Sequence, residues 1–225
     1  MELNPLVRAV STVALAATAF FTLAAFMQLP ADAVLAIHWD INGIADGFAG
    51  REALLIIPVT TALTGGLLWL AVRYDPKRAN IARSADSLGL VVVALSLLVA
   101  VTQSAIINSG FGEAARLDHA VPVAAGALFA IFGYAMPNIR QNYTIGVRLP
   151  WTIESEAAWD ASHRFIGGIW MLVGVATALL GYLGLSAAAI LTLLVGLTLS
   201  VAGTVFVAYR VWSREPRSPR TKRRR

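Results

Sequence analysis

The chain has 225 residues, of which 57% are hydrophobic and only 14% are charged, and its formal net charge is +5. A soluble domain carries about a quarter charged residues. The composition therefore excludes an ordinary soluble protein and indicates a membrane protein. The chain contains no cysteine, which excludes disulfide bonds and thiolate metal sites.

Six apolar segments without any charged residue are each long enough to cross a bilayer. A helix needs about 20 residues to cross a hydrocarbon core of about 30 Å. We therefore predict an all-α membrane protein with six transmembrane helices in one bundle, as a single domain over residues 1–210. The predicted spans are residues 9–28, 53–72, 88–107, 120–136, 165–183 and 187–209. The first span could also be read as a signal peptide, but its length favours a retained helix.

The positions of the basic residues predict the orientation of the bundle. Lys and Arg concentrate in the cytoplasmic segments of membrane proteins. With both termini in the cytoplasm, all 18 Lys and Arg residues except Arg51 and Arg116 lie on the cytoplasmic side. This orientation places one long outer loop at residues 29–52 and one long inner segment at residues 137–164.

The residues after the sixth span, 211–225, are predicted to form a disordered basic cytoplasmic tail. Basic residues directly after a cytoplasmic helix end are attracted to anionic lipids of the bilayer by about 1 kcal/mol each. The basic run that ends the chain has no aromatic residue for stacking on bases. We therefore expect lipid contact and no direct nucleic-acid binding.

The inner segment is much longer than a minimal connection between helices, and it is rich in charged and aromatic residues. Gly146 permits a turn, and Pro150 disfavours helical geometry at the preceding residue. Thr152 or Ser155 can cap a new helix. Residues at spacings of three and four share a helix face, so that helix places one set of side chains together: Glu156, Trp159, Asp160 and His163.

Two interpretations of the inner segment stay open. It is either a structural lead-in to the fifth span, with Trp151 and Trp159 at the lipid surface and Arg164 near phosphates, or a binding site for a ligand or partner. The planar fork of Arg148 is predicted to hold the segment by bonding backbone carbonyls or a carboxylate, a role that Lys would not fill. The candidate site residues are Asn138, Arg140, Asn142, Gly146, Arg148, Pro150, Trp151, Thr152, Trp159, Asp160, His163 and Arg164.

No catalytic residue and no cofactor are assigned. Asp160 and His163 could form a carboxylate–histidine pair, but no nucleophile or metal is evident beside them. The spans contain no ionisable residue, which disfavours a proton-coupled transporter. The sequence therefore favours a protein that is not an enzyme.

The outer loop is the second candidate region. Val34 to Trp39 are predicted to be extended, and Asn42-Gly43 and Asp46-Gly47 have the chemistry of turns. The candidate residues of this loop are His38, Trp39, Asp40, Gly43, Asp46 and Gly47. His38, Asp40 and Asp46 are weak candidates for cation ligands, and we expect no metal to be required.

An ordered series of residues in the inner segment resembles the signature of the SdpI-type immunity protein family. The series is Gly133-Tyr134, Met136-Pro137, Ile139-Arg140, Asn142, Ile145-Gly146-Val147-Arg148, Pro150-Trp151-Thr152, Trp159, His163-Arg164 and Gly167. The outer loop resembles an uncharacterised domain that often accompanies this signature, through Leu29-Pro30, His38-Trp39-Asp40, Gly43 and Asp46-Gly47. Tyr134 departs from the family pattern, which usually has Asn there.

The resemblance implies a multi-pass protein of the bacterial cytoplasmic (inner) membrane that protects its cell against a secreted antimicrobial peptide. It also implies signalling, in which a cytosolic repressor is held at the membrane when the toxin is present. The toxin would meet the outer loop, and the repressor would meet the inner segment. The alternative is a small-solute carrier or membrane-embedded enzyme built as a 3+3 inverted repeat. Loops folded into one central cavity would favour the carrier or enzyme, and loops folded as separate caps would favour sensing.

Overall fold

The computed structural model describes residues 4–113 and 119–216. Within them it has eight α-helices, one two-stranded sheet and two short 3-10 turns. The helices are α1 (Pro5–Gln28), α2 (Ile56–Tyr74), α3 (Arg78–Arg83), α4 (Ala85–Gly110), α5 (Ala120–Ala135), α6 (Pro150–Glu154), α7 (Glu156–Tyr182) and α8 (Ser186–Arg214). The strands are β1 (Val34–Trp39) and β2 (Ala45–Gly50), and the 3-10 turns are Arg51–Leu55 and Met136–Asn138.

The prediction of six spans is confirmed. Among the residues that the structure describes, six helices are long and apolar enough to cross a membrane: α1, α2 with its preceding 3-10 turn, α4, α5 with its following 3-10 turn, α7 and α8. The two largest shifts of a predicted boundary are at the start of α7 and the end of α8. Helix α7 begins at Glu156, well before residue 165, and α8 continues to Arg214, so the first residues of the predicted tail are helical. Residues 217–225 of that tail, and Arg116, lie outside the described residues.

Small residues bring α5 and α7 into close contact. A methyl group added at Gly126 would overlap the backbone of Gly174 and Ala178, and one added at Gly174 would overlap the backbone of Ala130. Small residues four apart allow membrane helices to approach this closely. On the other side of α7, Trp170 Nε1 donates to Ser200 Oγ of α8 at 2.9 Å.

A separate polar contact joins α1 to α4. Gln103 of α4 is buried, and its Nε2 donates at 2.9 Å both to Thr22 Oγ1 of α1 and to the backbone carbonyl of Leu54. Helix α2 is different, because it has no buried residue. Its Gly65 and Gly66 do not unwind it, and α2 is continuous from Ile56 to Tyr74.

The outer loop forms a β-hairpin that covers one end of the bundle. Strands β1 and β2 are antiparallel, and Leu35 is fully buried in a cluster with Leu29, Leu54 and Ile106. The expected turn at Asn42-Gly43 is present, with Gly43 at φ 73°. The expected turn at Asp46-Gly47 is wrong, because both residues lie within β2, where Gly47 pairs with His38 and Asp46 lies at an irregularity of the register.

Candidate functional site

The inner segment folds as a compact cap on the opposite end of the bundle, where α2 and α8 end and α4 and α7 begin. We call residues 137–164 the inner cap. Its centre is Trp159, which is fully buried and donates from Nε1 to the carbonyl oxygen of Ile139 at 2.7 Å. The interpretation that places Trp159 at the lipid surface is therefore wrong.

His163 links α7 to the chain that precedes α6. Its ring is fully buried and stacks on Trp159, with centroids 4.1 Å apart and planes at 19°. The backbone N–H of Val147 donates to Nε2 at 3.1 Å, so Nε2 carries no proton. Nδ1 then holds the proton and donates to the carbonyl oxygen of Trp159 at 2.8 Å. His163 is thus a neutral crosslink whose two nitrogens are both used, and it does not pair with Asp160.

Gly146 closes this centre from the other side. Its φ is +116°, a value that L side chains rarely adopt. A methyl group at this position would overlap Nε2 of His163 and would lie 3.0 Å from the ring of Trp159. Glycine is therefore required here for both its backbone conformation and its lack of a side chain.

Asn142 holds the turn of the inner cap through bonds to backbone groups. It is fully buried, and its Oδ1 accepts from the N–H groups of Thr144 and Ile145 at 2.9 and 2.6 Å. Its Nδ2 donates to the carbonyls of Arg140 and Ile145 at 2.8 and 2.9 Å. These four bonds use the full capacity of the amide.

Asp75 anchors the inner cap to α2, and no local sequence pattern marks it as a site residue. Its Oδ2 accepts from the N–H of Tyr143 at 2.9 Å and from Thr144 Oγ1 at 2.7 Å. Its Oδ1 accepts from the N–H of Lys77 at 2.7 Å. Asp75 is only 5% exposed, so a buried carboxylate is satisfied by three donors from two segments.

Gln141 is a second anchor that is not among the residues predicted from the sequence. Its Nε2 donates to the carbonyls of Thr152 and Ile153 at 2.7 and 3.0 Å, and its Oε1 accepts from Lys77 Nζ. Asn80 Nδ2 donates to its backbone carbonyl at 2.8 Å. Asp75 and Gln141 are far apart in the sequence, but both bond Lys77. The fold alone brings these two anchors together.

The start of α7 confirms one sequence prediction. Ser155 is the N-cap, because its Oγ accepts from the N–H of Ala158 at 2.9 Å. Thr152 instead lies in the first turn of α6, which begins at Pro150, and it fixes the start of that helix. Its Oγ1 accepts from the N–H of Leu149 at 2.8 Å and donates to the carbonyl of Val147 at 2.7 Å.

The inner cap is also fastened to the end of α8. Trp151 is half-buried and lies against Tyr209 and Trp212, with ring centroids 5.6 and 6.5 Å away. Trp212 Nε1 donates to Glu154 Oε2 at 3.1 Å. Ser155 Oγ also bonds the carboxylate of Glu215, just after α8.

Among the described residues, Arg148 bonds a backbone carbonyl, as the sequence predicts, but through one nitrogen only. Its Nη1 donates to the carbonyl of Tyr143 at 2.9 Å in an exposed setting. Since the bond is single, the planar two-pronged geometry of the guanidinium is not used here.

Three charged residues of the inner cap, Arg140, Asp160 and Arg164, line an open polar cleft. The cleft has a volume of about 360 Å³, and α4, the second 3-10 turn and α7 line it. Its charged and polar lining includes Arg83, Asp86, Ser87, Asn138, Arg140, Asp160 and Arg164. We call it the polar cleft.

The outer hairpin has its own polar order at the tip. Asp40 Oδ1 accepts from the N–H groups of Asn42 and Ile44, each at 2.8 Å. These bonds, with that from Ile44 the largest cause, hold the pKa of Asp40 below its usual value. His38 Nδ1 lies 2.6 Å from Asp46 Oδ1, and both side chains are largely exposed.

The three weak cation candidates do not come together around one point. His38 pairs with Asp46, while both oxygens of Asp40 bond within the turn. In the described part of the chain, no group of three or more His, Cys, Asp and Glu side chains is placed to hold a metal ion. Gly47 lies opposite His38, where a methyl group would meet the His38 Cβ at 2.7 Å.

A mostly apolar groove lies beside the hairpin tip. Its volume is about 480 Å³, and its lining combines β1 and the following turn with the ends of α4, α5 and α8. Trp39, Asp40 and Gly43 line it on the hairpin side, and Val121, Pro122 and Ile190 line it on the helix side. This outer groove shares no lining residue with the polar cleft.

The fold and the two caps define a multi-pass membrane protein with one folded loop on each end of its bundle. Comparison with known proteins makes the class specific. Residues 138–209 match the SdpI/YfhL protein family, and residues 13–62 match a domain of unknown function, DUF1648. The chain is similar to the immunity protein SdpI of Bacillus subtilis (strain 168), with 24% identity over 157 residues, which is 70% of this chain and 72% of that protein.

These matches confirm the resemblance on which the sequence analysis rested. The SdpI/YfhL match includes all but the first residue of the inner cap, α7 and most of α8. The DUF1648 match includes most of α1, the outer hairpin and the start of α2. The chain is a multi-pass protein of the bacterial cytoplasmic membrane, and it is similar to the SdpI/YfhL family over residues 138–209. No solved structure matches it.

Proposed function

We propose that this protein is a membrane immunity protein that protects its cell against a secreted antimicrobial peptide and passes a signal to a cytosolic repressor. The observation that carries the proposal is the folding of the two long loops as separate caps on opposite ends of one bundle. The similarity to the immunity protein SdpI supports the same function. A carrier or enzyme built around one central cavity would bring both loops to that cavity, and the outer groove and the polar cleft instead have separate linings.

The outer hairpin has the chemistry to meet a cationic amphiphilic peptide. Asp32, Asp40, Asp46 and Glu52 are acidic residues of the outer loop, and Arg51 is its basic residue. The guanidinium of Arg51 lies 4.6 Å from the centre of the Phe26 ring and donates to the carbonyl of Leu29 at 3.1 Å. The acidic side chains and the apolar groove beside them would attract a cationic peptide and bury its apolar side chains.

Helix α4 gives the two caps a common rigid element. At its outer end, Ser109 Oγ accepts from the N–H of Ala36 in β1 at 2.9 Å. At its inner end, Ser84 Oγ accepts from the N–H of Arg140 at 2.9 Å. The 26 residues of α4 extend over about 39 Å at 1.5 Å per residue. A peptide that displaces the hairpin would therefore act on a helix that also bonds the inner cap.

Deletion of the gene in its own bacterium tests the immunity function. Cells without the protein should be killed by culture fluid of the parent strain, and the intact gene should restore survival. Equal survival of the deletion strain and the parent would overturn the proposal. For the signalling function, genes that the same fluid induces in the parent should not be induced in the deletion strain.

The orientation needs its own measurement, because the proposal assigns the caps to faces. Reporter fusions after Arg83 and after Arg225 should report the cytoplasm, and a fusion after Asp46 should report the outside. An external signal at Arg83 would reverse the faces on which the peptide and the repressor are proposed to bind.

A further inference from the structure

The polar cleft holds charges that the fold does not satisfy. In the described part of the chain, the side chains of Arg83, Arg140 and Arg164 make no hydrogen bond and no ion pair. Asp86 and Asp160 also line the cleft, so three guanidinium groups face two carboxylates. The cleft therefore has an excess of unpaired positive charge.

Two further features of the cleft indicate an anionic ligand. Ser87 is 9% exposed, lines the cleft, and has a hydroxyl with no hydrogen bond in the described residues. Helix α4 begins beside it, and no side chain caps the start of α4. The free N–H groups and the dipole at a helix start favour an anion. A buried donor, an uncapped helix start and three free guanidinium groups thus converge on one space.

The depth of the cleft identifies the source of the anion. Arg164 is the last charged residue of α7 before its apolar part, and Asp86 is the last charged residue of α4 before its apolar part. The cleft is therefore level with the boundary between the hydrocarbon core and the headgroups. A phospholipid phosphate lies at this depth, whereas an acidic side chain of a cytosolic protein would have to reach down to it.

Apolar surface continues from the cleft along both helices. Leu90 lies four residues after Asp86 and is 44% exposed. Leu172 lies two spacings of four residues after Arg164 on α7, and it is 71% exposed. Residues four apart lie on the same helix face. Acyl chains of a lipid whose phosphate occupies the cleft would find apolar helix surface directly above it.

We propose that the polar cleft binds the phosphate of a membrane phospholipid through Arg83, Arg140, Arg164 and Ser87. Asp86 and Asp160 accept from a hydrogen-bond donor of the same headgroup, such as an ammonium or a hydroxyl. This site is independent of the proposed immunity function, since it rests only on the cleft and its depth.

Lipid-dependent thermal stability of the purified full chain in detergent tests this proposal. Titration with a short-chain phosphatidylethanolamine should raise the melting temperature of the wild-type protein to a plateau. Each of Arg83→Gln, Arg140→Gln and Arg164→Gln should weaken the apparent affinity roughly tenfold, as expected for the loss of a hydrogen bond to a charged group. Ser87→Ala should weaken it about fivefold with no change in charge.

Arg78→Gln is the matched control. Arg78 is exposed at the same end of the bundle, at the start of the helix that Arg83 ends, and it does not line the cleft. This variant should titrate like the wild type. An equal loss in Arg78→Gln would show that general surface charge, and not the cleft, attracts the lipid, and would overturn the proposal.

Two further ligands distinguish the source of the phosphate. A diacylglycerol with the same short chains has no phosphate and should give no saturable shift. Inorganic phosphate has no acyl chains and should give none at millimolar concentration. A full rise in melting temperature with inorganic phosphate would show that the cleft binds a free anion and not a lipid. No rise with any phospholipid would show that the cleft does not bind the proposed ligand. Either result would overturn the proposal.

Discussion

Replacing Gly146 with alanine perturbs the centre of the inner cap in two ways at once. The φ of Gly146 is +116°, and a residue with a side chain at such a positive φ loses about 1–2 kcal/mol of folding free energy. The added methyl group would also overlap Nε2 of His163, and overpacking of a filled core costs about 1–3 kcal/mol. Because His163 is fully buried against Trp159, it has little room to move without losing its bond to Val147.

We expect Gly146→Ala to destabilise the protein by about 3 kcal/mol or more from these two causes. For a chain of this size, 1 kcal/mol corresponds to about 2–4 °C in melting temperature, so the expected loss is at least about 6 °C. Tryptophan fluorescence during heating of the purified protein in detergent measures it. Trypsin cleavage after Arg140 and Arg148 should also become faster, since the cap that orders them is loosened.

Gly168→Ala is the matched control for this experiment. Gly168 lies in α7, one turn after Arg164, and an added methyl group would meet nothing within 4 Å. Alanine is favoured over glycine in a helix by about 1 kcal/mol, so this variant should melt at or above the wild-type temperature. A melting temperature for Gly146→Ala within about 2 °C of the wild type would refute the close packing of Gly146 on His163.

Three other changes test single contacts. Asp75→Ala leaves three donors without their acceptor and should cost about 2–4 kcal/mol in thermal unfolding, whereas Asp32→Ala, at an exposed residue, should be neutral; equal effects would contradict the anchoring role of Asp75. Arg148→Lys should unfold like the wild type because a single N–H bond to a carbonyl is within reach of an ammonium; a loss as large as that of Arg148→Ala would restore the need for the planar fork. The pKa of Asp40 is lower in the folded protein than in the unfolded chain. The bonds that its carboxylate accepts therefore stabilise the hairpin tip fully at pH values above the pKa of the unfolded chain. This stabilisation is lost as the pH falls through the pKa of the folded protein. The protection of the Ile44 amide from exchange should stay constant between about pH 5 and 8 and fall below about pH 4; loss of protection near neutral pH would show that Asp40 does not control the tip.

The six spans are predictable from sequence because the thickness of the hydrocarbon core fixes the length of an apolar helix. The cap at Ser155 is also predictable, since a serine before a helical run has a local reason to accept an N–H. Both predictions rest on residues that are close together in the chain.

The prediction of a turn at Asp46-Gly47 is wrong because the pairing of β1 with β2 outweighs local turn chemistry. Gly47 is needed for its close approach to His38 instead.

The roles of the polar residues in the inner cap depend on partners far along the chain. Asp75 accepts from Tyr143, a residue 68 positions later, and no local pattern connects the two. Asn142 and Arg140 look alike in sequence as donors for an anion, but all four bonds of Asn142 go to backbone groups, whereas the Arg140 side chain has no partner among the described residues. Once the bonds of the inner cap are assigned, Arg140 and Arg164 are left without partners and lie with Arg83 around one cleft. The three arginine side chains are exposed in the cleft, and a hydrogen bond between a guanidinium and a phosphate is about twice as strong as a neutral one, which is the physical reason to expect an anionic ligand there.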